Sequence, residues 1–223
     1  MVNNNHNLDS NSLIIYHQNI CGLKGKVDEL ISSIFPNFPH ILCFSEHHFK
    51  HSGLSQINIE GFKLCTAYCR QTIKRGGVCI FIQNSLEYSM IDVNKHCKDQ
   101  DIEICMLNLK TVSSSSHIMV VYRAPTGNFN LFLNKLDDSI KSIYRTDLNL
   151  IVCGDMNIDY LIDNTRKRQL DTILKTYNLT AIVTFPTRSP VLRLITYLLI
   201  SLKFPITLFL PYPTVFQTMM LNY

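Results

Sequence analysis

Apolar residues along this chain follow two rhythms, and the switches between them predict its elements. Leu13 to Asn19 (LIIYHQN) is an apolar run ending in amides, the pattern of a buried strand. Val27, Leu30, Ile31 and Ile34 then recur at i, i+3, i+4 and i+7, one face of a helix that Pro36 and Pro39 close. Ile41 to Glu46 (ILCFSE) resumes a β-prone run, and it too ends in polar residues. Further strands are predicted at Phe62 to Tyr68, Gly77 to Ile82, Ile102 to Leu109 and His117 to Tyr122, divided by turn-formers such as Arg75-Gly76-Gly77 and Ser113 to Ser116. Leu133, Leu136, Ile140 and Ile143 mark a second helix, and Leu148 to Asp155 a strand with an acidic end. Leu170, Ile173, Leu174 and Tyr177 mark a third helix. Helices among runs of consecutive strands predict a layered α/β (α+β) domain with mixed or antiparallel sheets, not a regular βαβ repeat.

Composition narrows this little. The 223 residues, 46% apolar and 17% charged, suffice for one substantial core and are too few for two comfortable domains. A formal charge of +4 permits a polyanionic partner without identifying one. The eight cysteines lie among apolar neighbours, as in VCIF and IVCG, where a thiol acts as a small buried hydrophobe and indicates a reducing compartment. There is no C-x-x-C pair, and Cys65 with Cys69 lacks a matching second pair, which argues against a zinc site. Residues 1–12 are polar, without the apolar core of a secretory signal, and are expected to be a disordered leader. An intracellular location, nucleus or cytoplasm, follows, and there the N-L-T sequon at Asn178 would go unused.

Polar residues at strand ends are the candidates for chemistry, because a sheet holds such positions rigid while loops expose them. Four motifs sit there: QNICGL with Asn19, FSEHH with Glu46, YRAPTGN with Tyr122, and CGDMNID with Asp155 and Asn157. Each alone has an ordinary explanation, a solvated carboxylate for Glu46 or turn residues after Gly154 for Asp155 and Asn157. His47 and His51, spaced i and i+4, would suit a transition metal, but on a helix where the pattern predicts a loop.

In order and spacing the series resembles the endonuclease/exonuclease/phosphatase superfamily, and most closely the apurinic/apyrimidinic-like endonuclease domain of LINE-type non-LTR retrotransposons. The matching segments are Asn19 with Gly22 and Leu23 (N-x-x-G-L), Ser45 to His47 (S-E-H), Gly76 to Phe81 (G-G-V-x-I-F), Tyr122 to Pro125 (Y-R-x-P) and Gly154 to Asn157 (G-D-x-N). The resemblance covers about Leu13 to Arg188. It implies a four-layer α/β sandwich of the deoxyribonuclease I-like type over residues 13–188, and hydrolysis of a phosphodiester in DNA by a chain acting as a monomer. It also implies Mg²⁺ or Mn²⁺ held by Glu46 with Asn19 as a neighbouring amide oxygen, or Asn19 donating to phosphate. Asp155 would orient or deprotonate water, Asn157 would hold it or donate to a nonbridging oxygen, Tyr122 would stabilise developing charge, and Arg123 would contact phosphate.

Two family segments are not found, a strand of the type I-D-N-I-F-I and a final S-D-H. No histidine follows His117 and no acidic residue follows Asp171. Residues 189–223 are instead an aberrant apolar tail, and the closing strands are expected to be missing or altered, exposing a sheet edge. A membrane span is disfavoured by Lys203, Pro205, Pro211 and Pro213. The genetic code offers a better account. Read one base back, the Met219 to Met220 junction must encode aspartate, and the whole of Thr214 to Tyr223 permits G-L-S-D-H-D-A-Q-L. Arg193 to Leu199 permits I-D-N-I-F-I in the same frame. The sequence thus predicts a frameshifted, catalytically impaired endonuclease domain; a noncatalytic nucleic-acid-binding module and a membrane-tailed phosphatase of the same superfamily are the alternatives.

Overall fold

The structure of the protein, a computed structural model, describes residues 13–36, 38–110 and 115–181, and the backbone of residues 196–200 and 206–209. Its strands, numbered in chain order, form two mixed sheets. The first holds β1 (Leu13–Asn19), β2 (Ile41–Ser45), β3 (Phe62–Tyr68), β4 (Val78–Gln83) and β11 (Ile206–Phe209), in the order β11-β1-β2-β4-β3. The second holds β5 (Glu87–Ile91), β6 (Glu103–Lys110), β7 (Ser115–Tyr122), β8 (Asn149–Asp155), β9 (Thr180–Ala181) and β10 (Thr196–Ile200), in the order β5-β6-β7-β8-β10-β9.

Strand alternation explains the layers. Ile41 and Cys43 of β2 and Val78, Ile80 and Ile82 of β4 join the core shared with the second sheet. Their neighbours Leu42, Phe44, Cys79 and Phe81 turn the other way and pack with Leu30 and Ile34 of helix α1 (Val27–Ile34). Beyond the one-turn helix α2 (His51–Leu54), helices α3 (Phe129–Ile143) and α4 (Thr165–Thr176) cover the far face of the second sheet through Phe132, Leu136, Ile140, Leu170 and Leu174. Every residue of β8 is consequently buried, as befits a strand covered on both faces. The result is helix, sheet, sheet, helix.

The helices end where local chemistry dictates. Asn128 and Asn164 cap α3 and α4, their side chains accepting from Leu131 N–H and Lys167 N–H. Asn178, with φ 55°, terminates α4 in the left-handed conformation: its N–H bonds to the Lys175 carbonyl, and Leu179 N–H to that of Leu174. This asparagine, the first residue of the sequon, therefore has a local structural role.

Three expectations change. Ser115 and Ser116, expected in a turn, begin β7, while residues 111–114 fall outside the described ones. Strand β5 was not anticipated, because it is an edge strand with no fully buried residue and so lacks a clean apolar alternation. The closing strands are altered, not missing, and neither inner strand is left as an edge: β10 pairs antiparallel with β8, and β11 pairs parallel with β1. The leader and residues 182–195 and 210–223 lie outside the described residues. Among the described residues, no helix is long and apolar enough to cross a membrane.

Candidate active site

Two pairs of parallel strands finish at the same end of the sandwich. In the β1/β2 register Asn19 lies opposite Ser45, so Glu46 is the first residue past the strand. In the β7/β8 register Tyr122 lies opposite Asp155. The four polar strand ends singled out in the sequence thereby meet.

Asn19 joins them. Its Nδ2 donates to Glu46 Oε1 at 2.7 Å and to Asp155 Oδ2 at 2.8 Å, so one amide holds a carboxylate from each sheet. Its Oδ1 accepts the Cys21 N–H at 3.2 Å, and since a backbone N–H can only donate, this fixes the amide orientation. In this structure Asn19 thus faces the carboxylates with its nitrogen, and the oxygen expected beside a metal accepts from the Cys21 N–H.

Glu46 has φ 57° and a side chain 21% exposed. Burial pushes its pKa up, but hydrogen bonds from Asn19, Tyr122 and His48 outweigh that and leave it below the ordinary 4.5, ionised at neutral pH. Burial, reinforced by the Glu46 charge, holds the Tyr122 phenol above its usual range, so Tyr122 is a hydroxyl donor to Glu46. Asp155 is 2% exposed, and its Oδ1 accepts the Asn157 N–H at 3.0 Å. Asn157, at φ 51°, donates through Nδ2 to the Arg123 carbonyl at 2.7 Å. Gly154 shows why glycine precedes this aspartate: a Cβ there would stand 1.8 Å from the Val121 carbonyl oxygen on β7.

Arg123 does not meet its expected role. It is 0% exposed, and its guanidinium donates to the carbonyls of Met156 (2.9 Å), Ala124 (3.0 Å), Gly127 (3.1 Å) and Asn157 (2.8 Å). A guanidinium so engaged braces the loops behind Asp155 and is not presented to phosphate. The His47 and His51 metal pair is likewise set aside: His47 Nδ1 accepts from Phe49 N–H and Nε2 faces the Tyr68 carbonyl at 3.0 Å, while His51 opens α2.

One supporting group was invisible in the sequence. Glu103, opposite Tyr122 in the β6/β7 register, accepts from Arg70 Nε at 2.5 Å, Gly77 N–H at 2.6 Å and Gln100 N–H at 3.1 Å. Burial raises the Glu103 pKa against the pull of Arg70, whose guanidinium also lies 5.7 Å from the Tyr122 ring centroid. This buried pair ties β3, β4 and β6 beneath Tyr122. No motif signals it, since its members are joined only by folding.

No protein-family model and no curated protein sequence matches the chain. Solved structures do match, and what they share with this chain is the fold, a deoxyribonuclease I-like α/β sandwich. Among them is the endonuclease domain of TRAS1, a telomere-specific non-LTR retrotransposon, 14% identical over 82% of this chain and 82% of that one, with a TM-score of 0.64. An AP endonuclease from Archaeoglobus fulgidus is 14% identical over 84% of this chain and 86% of its own, with a TM-score of 0.56. TDP2 of D. rerio, complexed with single-strand DNA product, is 10% identical over 86% and 84%, with a TM-score of 0.57.

Proposed function

We propose that this chain is a retrotransposon-type endonuclease domain, a metal-dependent phosphodiester hydrolase of DNA, impaired by loss of its Asp-His pair. The observation that carries the reading is Asn19 bridging Glu46 and Asp155. A single amide keeps two carboxylates from different sheets at a fixed spacing, which a hydrolytic site needs and a structural core does not. A hard divalent cation such as Mg²⁺ or Mn²⁺ takes oxygen ligands, and the ionised, part-exposed Glu46 suits it. When bound, such an ion supplies Lewis-acid polarisation of a phosphoryl oxygen. Asp155, positioned by Asn19 and by the Asn157 N–H, accepts a hydrogen bond from the attacking water and orients it. Tyr122 keeps Glu46 aimed by donating to it.

No acidic residue or histidine follows Asp171 in this sequence, so its own residues 172–223 supply no S-D-H pair. Losing members of a unit that acts together costs on the order of 10³-fold or more. The test is Mg²⁺-dependent nicking of supercoiled plasmid by this chain, by a chain restored in frame after about Ser189, and by the restored chain carrying Glu46→Gln. Nicking by the restored chain alone is expected. Equal nicking by this chain and the restored one refutes the impairment, and salt-dependent DNA binding without nicking by any variant favours a noncatalytic binding module. The coding sequence is an independent check: a Gln217 codon other than CAG, or a Thr218 codon other than ACC, sinks the frameshift account.

A further inference from the structure

We propose that Cys21, Glu46 and His48 form a site for a borderline transition-metal ion, Zn²⁺ in the first instance, at the mouth of the active site. Their donor atoms, a thiol sulfur, a carboxylate oxygen and an imidazole nitrogen, all lie within 4.8 Å of one another. They come from two loops, after β1 and after β2, that cysteine spacing cannot connect. Backbone bonds continue the β1/β2 pairing into those loops: Ile20 N–H to the Ser45 carbonyl at 3.0 Å, Gly22 N–H to that of Glu46 at 2.7 Å, and Leu23 N–H to that of His47 at 3.2 Å.

The backbone bears the mark of a built site. Cys21, Glu46 and His48 all stand in left-handed conformations, with φ of 45°, 57° and 64°. Each such non-glycine residue costs on the order of 1–3 kcal/mol, and such strain clusters at ligand clamps. Gly22, at φ 92°, lets the His48 ring close on the loop, since a Cβ there would lie 3.1 Å from His48 Nδ1. Two donors on one tetrahedral zinc ion stand roughly 3.4 Å apart at ordinary bond lengths. His48 Nε2 and Glu46 Oε2 are already at 3.4 Å, and Cys21 supplies the third corner, with water as the fourth. Thiolate and imidazole select zinc over magnesium, whereas a carboxylate serves either. Binding transfers the Cys21 thiol proton to solvent, shifts the His48 ring proton from Nε2, where it serves Glu46, to Nδ1, and forms the sulfur–metal and nitrogen–metal bonds. Zn²⁺ thus takes Glu46 from the hard ion; this consequence, unlike the site itself, rests on the proposed nuclease function.

The test uses the purified full chain without DNA. One Zn²⁺ is expected to bind per chain, and Co²⁺ in its place to show sulfur-to-cobalt charge-transfer absorption that Zn²⁺ displaces. Cys21→Ser, at an exposed position, should abolish that band, and Cys21→Ser and His48→Ala should each weaken Zn²⁺ binding by about tenfold or more with an unchanged circular dichroism spectrum. Undiminished zinc affinity in Cys21→Ser, or a cobalt complex without a sulfur band, overturns the proposal. Neither readout requires nicking, so a failure of the nuclease reading leaves the result interpretable.

Discussion

Arg123→Met separates a buried brace from a phosphate contact. The substitution roughly conserves volume, so little of its effect comes from a cavity. What it removes is a set of charged donor bonds, 2.8 to 3.1 Å long, to the carbonyls of Met156, Ala124, Gly127 and Asn157, at a residue with no exposed surface. A hydrogen bond from a charged donor contributes about 1.5–3 kcal/mol, and a buried carbonyl left without a partner costs about 1–3 kcal/mol. These terms do not add fully because the loops relax, so the expected loss is about 4 kcal/mol, in the upper tail for a single substitution. In a chain of 223 residues that lowers Tm by roughly 10–15 °C. Thermal unfolding followed by circular dichroism reads this directly. DNA affinity measured across a salt series on the folded fraction should keep its slope, whereas loss of a phosphate contact would reduce the slope by about 1. An Arg123→Met chain with the parent Tm and a shallower salt slope would refute the brace.

Asn19→Asp replaces the bridging amide with a third carboxylate; its Tm should fall without metal and rise more steeply with Mg²⁺ than the parent's, the ion stabilising the variant by about 2.7 kcal/mol at a hundredfold excess over its Kd. Identical Mg²⁺ increments would count against a cation at Glu46. Burial brings the His47 imidazole from 6.5 down to about 4, so between those values the unfolded chain binds a proton that the folded chain refuses. Stability should therefore fall as pH drops through that window, by up to about 3 kcal/mol, and urea midpoints in His47→Asn should show a flatter dependence. Gly154→Ala, which drives a Cβ to 1.8 Å from the Val121 oxygen, should cost about 3 kcal/mol or more in urea unfolding; a loss under about 1 kcal/mol would mean that β7 and β8 can separate there.

The candidate site was legible where apolar periodicity ends on a polar residue. β1, β2, β7 and β8 each do so, and their ends carry Asn19, Glu46, Tyr122 and Asp155. Pattern could place these residues at strand ends, but it could not say which atom of Asn19 faces the carboxylates, because that depends on the Cys21 N–H in the following loop. Arg123 was misjudged for a related reason: an arginine in a loop motif looks the same from sequence whether its guanidinium meets solvent or a ring of carbonyls. Arg70 with Glu103, and Cys21 with His48, were missed because their partners meet only through the β3, β4 and β6 ends or through two facing loops. The short edge strands escaped because an edge buries too little to impose a rhythm on its residues.

The closing strands bear on the frame-restored comparison. β10 starts opposite Asp155 and runs antiparallel to β8, away from the site, with Thr196 paired to Asp155 and Ile200 to Ile151. β11 runs parallel to β1, with Leu13 paired to Ile206 and Tyr16 to Phe209, and β1 ends at Asn19. β11 therefore points, like β1, toward the end of the sandwich where Asn19, Glu46 and Asp155 meet. The out-of-frame junctions that would encode S-D-H fall between Phe216 and Met219, outside the described residues. Restoring the frame after about Ser189 rewrites the residues of β10 and β11 together with those beyond them, and leaves Asn19, Glu46, Tyr122 and Asp155 as they stand. A gain in nicking on restoration, removed by Glu46→Gln, would then report the restored tail as a whole, its closing strands and the added pair together.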